Sequence, residues 1–303
     1  MCPETEETAM NELKTYNPIV IFVYFAAATA FSCVFMHPIC LAVSMCMGLV
    51  YTFMISRSGG ISSLKFIVPC ALVTAVVNAA FNHRGVTIIE YLPNGNPLTL
   101  EALIYGAHAS VMIAAVICWF FCLGSLMTSD KVVYIFSRTA PSIALVFSMT
   151  LRFLPKISAY FKEAKTANRC AGIEPLDGNF ITKIKYTSAV FSSVVTRTLE
   201  NSIDTADSMS ARGYGTGRRS SFAIYGFDRR DAATVTYILV LSAYIIFCAM
   251  RGALYVNFYP TFTFAGFSWL GISGFAAYFA LLVFPLIIEA KGAVKWKRLK
   301  SKI

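Results

Sequence analysis

Few side chains in this sequence are placed to make or break a covalent bond. Its three histidines, His37, His83 and His108, lie far apart, and none neighbours a plausible nucleophile. No Ser/His/Asp or Cys/His set suggests itself along the chain. Of nine cysteines, Cys33, Cys40, Cys46, Cys70, Cys118, Cys122 and Cys248 fall inside apolar blocks and read as small buried hydrophobes. No C-x-x-C pair occurs, so neither a redox motif nor a zinc site has its ligand spacing. A G-x-x-x-x-G-K-[ST] phosphate cradle is absent, so the chain does not bind a nucleotide by that device. The distinctive polar cluster is instead Ala206-Asp207-Ser208-Met209-Ser210-Ala211-Arg212-Gly213-Tyr214-Gly215. Gly213 can take the left-handed conformation that ends a helix, and Arg212 complements the helix dipole beside it. One reading is simply a well-capped helix. The other is a narrow probe, in which small Ala211 lets the tip enter a groove and Arg212 sets its guanidinium fork on a carboxylate.

The elements that must carry such a tip are set by composition. Hydrophobic residues make up 57% of the 303 residues and charged residues only 14%, against about 25% charged in a soluble domain. Uncharged apolar runs at 18–35, 38–55, 66–82, 102–127, 232–250 and 264–288 each approach the roughly 17–25 residues of a spanning helix. The expected fold class is therefore all-α, a polytopic membrane bundle of about six spans, its first two joined as a tight hairpin at Met36 and His37. Small residues at four-residue spacing, Ala71, Ala75 and Ala79 in the third run and Gly106, Ser110 and Ala114 in the fourth, suit close helix packing in lipid. That packing is either within the chain or against another membrane subunit. The first fourteen residues are acidic and polar, lacking the basic start and cleavage site of a signal peptide, and are expected to stay on the mature protein.

Charge distribution gives the expected orientation. The net charge is +10; of 26 Lys and Arg, 15 lie between Lys131 and Arg230 and six more from Lys291 onward. Basic residues collect on the cytoplasmic side of a membrane. Placing the central stretch inside puts both termini inside as well, and leaves the 83–101 and 252–263 loops outside. The 83–101 loop, with Pro93, Asn94, Gly95, Asn96 and Pro97, reads as a connector. The expected division is a cytoplasmic N-terminal segment 1–17, spans within 18–127, a cytoplasmic helical region 128–231, spans within 232–290 and a basic tail 291–303.

The central hundred residues are too long for a plain loop. The run 139–151 is apolar but short for a span, which suits an interfacial or re-entrant helix. A helical pattern continues from Pro155 to Arg169, and Gly172 and Pro175 break it. From Ile181 to Arg212 comes a longer amphipathic helix, with Ile184, Phe191, Val194, Leu199, Ile203, Ala206 and Met209 along one stripe and Lys185, Glu200, Asp204 and Asp207 on its polar face. Nine acids offset the basic residues of this region and no stacking aromatics interleave them, so nucleic acid is not an expected partner.

Within the spans, ionisable groups are scarce. His108 is the only one inside the fourth run and reads as hydrogen-bonded packing; Glu289, Arg251 and His37 sit at span ends, where reaching for the interface accounts for them. A secondary transporter or channel, the main alternative, should show repeats or charged midplane residues, and an intramembrane enzyme should show clustered polar residues. Neither pattern is present in the sequence. Energy, if any is used, comes from another chain.

The stretch Arg138–Gly172, with Pro141, Leu151-Arg152-Phe153-Leu154-Pro155 and Glu163-Ala164-Lys165-Thr166-Ala167-Asn168-Arg169, followed by Met209-Ser210-Ala211-Arg212-Gly213-Tyr214 with Arg218 and Arg219, resembles the transmembrane T component of energy-coupling factor transporters. The cobalt-transporter membrane subunit belongs to the same family. The resemblance implies a scaffold in the cell membrane that grips two cytoplasmic ABC ATPases through two coupling helices and holds a separate substrate-binding S component, for vitamin or metal-ion uptake. It implies no cofactor in this chain, ATP being bound by the partners. Carried over by position, Ala211, Arg212 and Gly213 match the second coupling tip. Asn168-Arg169-Cys170 stands where the first tip usually has Ala-Arg-Gly, and Arg169 is the expected anchor there.

Overall fold

The computed structural model describes residues 12–55, 57–82, 85–91, 97–173, 180–216, 225–258, 263–264 and 268–300. Pro175, Arg218, Arg219, the turn residues 93–96 and the two ends of the chain lie outside them. The chain separates into two compact units, one of Met1–Thr128 with Tyr225–Ile303, the other of Ser129–Ile224.

The first unit is a helical bundle. After a short 3-10 turn at Glu12–Thr15 come α1 (Pro18–Val34), α2 (Pro38–Ile55), α3 (Arg57–Phe81) and α4 (Leu100–Leu126), then α8 (Arg229–Met250) and α9 (Trp269–Lys300). Asn17 starts α1 by accepting the Ile19 N–H at 3.0 Å, with Pro18 pre-set for the first turn. The α1–α2 joint is the expected tight hairpin: three residues separate the helices, and the buried His37 accepts the Ile39 N–H on its Nδ1 at 3.3 Å. His37 therefore caps α2 rather than reaching for the interface. His108 packs as expected, its Nδ1 2.9 Å from the Ile104 carbonyl and its ring edge-on to Phe258.

Helix α4 is the centre of the bundle and packs on α1, α2 and α3. The small stripe on α4 is used within the chain: Gly106, Ser110 and Ala114 are buried, and Ala71 packs on the cluster formed by Ile67, Ala114 and Cys118. A second cluster joins α1, α2, α4, α8 and α9 around Tyr24, Phe25, Tyr51, Trp119 and Tyr278. Inside it runs a polar chain. The Trp119 indole N–H donates to Ser44 Oγ at 3.0 Å, Ser44 bonds Ser32 at 2.6 Å, and Ser32 lies 3.3 Å from the Tyr278 hydroxyl. Four helices thus share one hydrogen-bonded network where no water competes for the donors.

The 83–101 connector is more ordered than its composition suggests. Ile88–Tyr91 (β1) and Pro97–Thr99 (β2) pair as an antiparallel hairpin, and Val256–Asn257 (β3) pairs with Thr263–Phe264 (β4). The buried Glu101 carboxylate fixes the first hairpin by accepting the Thr87 hydroxyl at 2.7 Å and the Thr87 N–H at 3.2 Å. Such long-range side-chain pairing leaves no periodic trace in a short loop.

The second unit holds α5 (Ser129–Thr139), α6 (Pro141–Cys170) and α7 (Phe180–Ala211). The 139–151 run is not a separate interfacial helix: the chain continues without a break through Pro155 to Cys170. Proline removes one backbone hydrogen bond there but does not end the helix. This changes the count of candidate spans. By length and composition, α2, α4, α6, α8 and α9 to Trp296 can each cross a bilayer, while Pro18–Val34 and Ser63–Asn78 are apolar but shorter. Helix α1 reaches only about 25 Å at 1.5 Å per residue, against a hydrocarbon core of about 30 Å.

Ser44→Ala leaves the buried Trp119 N–H without its acceptor and is expected to cost about 1–2 kcal/mol. The detergent-solubilised variant should melt below the parent protein; an unchanged midpoint contradicts a structural role for this network.

Candidate coupling tips

The residues singled out in the sequence sit at the C-terminal ends of the two long helices of the insert. At the end of α7, Gly213 has φ +79°, the Gly213 N–H donates to the Ser210 carbonyl at 2.9 Å, and the Tyr214 N–H donates to the Met209 carbonyl at 3.0 Å. This pair of bonds is the Schellman closure of a helix, with Gly213 at the left-handed position that a Cβ penalises. Ala211, Arg212 and Gly213 are all exposed.

The end of α6 closes the same way. Gly172 has φ +70°, the Gly172 N–H donates to the Arg169 carbonyl at 3.1 Å, and the Ile173 N–H donates to the Asn168 carbonyl at 3.0 Å. Aligning the two caps glycine to glycine pairs Ala171 with Arg212 and Cys170 with Ala211. Arg169, also exposed, therefore stands two residues earlier in its cap than Arg212 does. At about 100° per residue, that offset sends the two arginines off opposite sides of their helix ends. The first tip thus departs from the second in geometry as well as in sequence.

Four residues position the tips, and sequence periodicity did not reveal them. Arg197 of α7 donates to Glu163 of α6 at 3.0 Å and lies 4.1 Å over the ring of Tyr160, and the Asn201 amide reaches the Tyr160 hydroxyl at 3.5 Å. Both partners of the ion pair are more than half exposed, so its electrostatic worth is small. Its use is geometric: residues 160 and 163 meet 201 and 197 in opposite chain order, so the helices run in opposite senses where they touch. From Glu163 the α6 tip lies about 10 Å onward, and from Arg197 the α7 tip lies about 20 Å the other way. Val190 and Val194 are the buried residues of α7, while Ile184, Phe191, Leu199 and Ile203 of the expected stripe are exposed. The stripe is divided: Val194 is buried, Met209 is half-buried, and the rest faces outward.

Among the described residues no group of three or more His, Cys, Asp or Glu side chains could hold a metal ion. Arranged as a bundle with apolar helices and an insert of long paired helices, the chain is a multi-pass α-helical membrane protein. It matches the family model for the cobalt transport protein CbiQ over residues 7–222 and belongs to that family. It is similar to the energy-coupling factor transporter transmembrane protein EcfT of Lactobacillus helveticus, 29% identical over 112 residues, 37% of this chain and 40% of that one. It is also similar to the transmembrane protein EcfT 1 of Listeria monocytogenes, 28% identical over 105 residues, 34% and 40% of the two chains. An uncharacterized protein of Mycoplasma genitalium, MG181, is 26% identical over 171 residues, 53% and 41% of the two chains. The chain spans about two fifths of the length of these relatives.

Gly172→Ala and Gly213→Ala should each loosen a tip by about 1–2 kcal/mol, because a Cβ disfavours the left-handed conformation. Hydrogen exchange at Ile173 and Tyr214 should then quicken; unchanged exchange contradicts the caps described here.

Proposed function

We propose that the chain is the transmembrane scaffold subunit of an energy-coupling factor importer, passing the motion of two cytoplasmic ABC ATPases to a membrane-embedded S component that binds a vitamin or metal ion. The observation that carries this reading is the pair of exposed helix tips, closed by the same backbone bonds and pointing away from each other along α6 and α7. Two separated tips suit two motor subunits better than one continuous groove suits a single partner. In this reading Arg212 sets its guanidinium on a groove carboxylate of one ATPase, Ala211 keeps the approach narrow, and Gly213 turns the chain away. Arg169 does the same work at the first tip from its earlier position. The orientation that fits places both tips and both termini in the cytoplasm, since the basic residues gather in the insert and after Lys291. No cofactor is assigned to the chain; ATP belongs to the partners. Long helices are the appropriate device, because an ATPase pair that changes shape on binding ATP needs stiff levers to move a distant site.

Truncating or reversing a desolvated charge at an interface costs about 2–5 kcal/mol. Arg212→Glu should therefore abolish co-purification of the ATPases with the tagged chain while its abundance in the membrane stays unchanged. Undiminished association in that variant contradicts the assignment of the second tip.

A further inference from the structure

Residues 12–17 pack on the bundle core through Leu13 and Tyr16, and they also make polar contacts that the coupling tips do not require. The N–H groups of Glu12 and Leu13 donate to the two oxygens of Glu289, at 2.9 and 3.3 Å, and Glu289 is only 2% exposed. A carboxylate at a span end is expected to reach for the interface; Glu289 is instead the anchor of the N-terminal turn. Gly292, one turn further along α9, makes room for the Glu12 side chain, since a Cβ there would collide with Glu12 Cγ. At its other end the turn grips the segment by which the chain returns to the bundle after the insert. The Asn17 amide donates to the Gly226 carbonyl at 3.1 Å, Arg230 lies 4.1 Å over the ring of Tyr16, and Arg230 Nη2 donates to the Thr15 carbonyl at 3.4 Å. Asp231, buried beside them, accepts the Asp228 N–H at 3.2 Å and fixes the first turn of α8. Burial raises the Tyr16 phenol above its ordinary value, against the opposing pull of Arg230. The ring therefore stays neutral under the guanidinium at physiological pH.

We propose that the Glu12–Asn17 turn is a strap that ties the return of the insert, at Gly226–Arg230, to the inner end of α9, so that movement of the insert is passed to α8 and α9 together. Arg230 and Glu289 are then positioning residues for transmission, acting through the strap and touching no substrate. The geometry favours this over simple packing for one reason. A six-residue segment makes its side-chain and backbone hydrogen bonds to two elements far apart in sequence, the 226–231 return and the 289–292 end of α9, and its own helix α1 needs only the Asn17 cap. This inference rests on the coupling role proposed above.

The test uses the full chain in complex with its ATPases, with and without ATP plus vanadate, and reads hydrogen exchange across 229–235 and 286–292. In the parent complex the nucleotide should alter exchange in both segments. In Arg230→Ala, an exposed site where substitution spares the core, the change at 286–292 should be lost while the ATPases stay bound and hydrolyse ATP; Arg230→Lys should keep it. Gly292→Val, which evicts Glu12 without removing a charge, should behave like Arg230→Ala. A response at 286–292 that is as large in Arg230→Ala and Gly292→Val as in the parent complex overturns the strap. So does loss of ATPase binding in both variants, which marks a merely structural contact. A parent chain that holds no ATPase overturns the coupling reading and the strap with it, and is told apart by the absence of motor subunits before any variant is made.

Discussion

A bilayer offers no solvent for an unpaired charge or an unsatisfied backbone group, and that constraint sorts this chain into its parts. The first unit satisfies it with helices whose polar side chains turn inward. Ser32, Ser44, Trp119 and Tyr278 bond one another, and the three buried carboxylates among the described residues, Glu101, Asp231 and Glu289, each accept a backbone N–H. The charges that cannot be satisfied this way collect in the insert and after Lys291. The same rule that holds the bundle together therefore displaces the basic residues to the part of the chain that carries the two tips.

The insert has a different economy. Few of its described residues are buried: Lys131 in α5, Ala144 in α6 and Val190 and Val194 in α7. Its shape rests on helix length, on two glycine caps and on the contact of Arg197 with Glu163 and Tyr160. An exposed ion pair adds little stability, so this contact fixes where α6 and α7 touch more than how strongly. A lightly packed pair of stiff helices suits a lever, whose ends must meet other proteins, better than it suits a self-contained core.

Much of this was legible in the sequence, and for a physical reason. Apolar runs and helix stops are local signals, so the all-α class, the hairpin at Met36–His37, the close packing of Gly106, Ser110 and Ala114 and the left-handed Gly213 could be read from residue order alone. What the sequence hid was long-range. A helical pattern is visible on both sides of Pro155, but not that the two stretches form one unbroken helix, because proline weakens a helix without always ending it. Glu163 and Arg197 lie 34 residues apart and Glu12 and Glu289 lie 277 apart, and no period connects either pair. Carboxylates at span ends usually go to the interface, but the N-terminal turn arrives to bury Glu289. The offset between Arg169 and Arg212 depends on the cap register, which the Asn-Arg-Cys sequence does not display.

The central claim is that force enters this chain through two helix tips held by separate motor subunits. Photo-cross-linking in native membranes, with a reactive residue placed singly at position 170 and at position 211, tests it most directly. The account predicts adducts with ABC ATPase subunits from both positions, identified by mass and lost on Arg212→Glu at the second tip. Adducts from both positions to lipid or to other membrane proteins, with no ATPase among them, would contradict it.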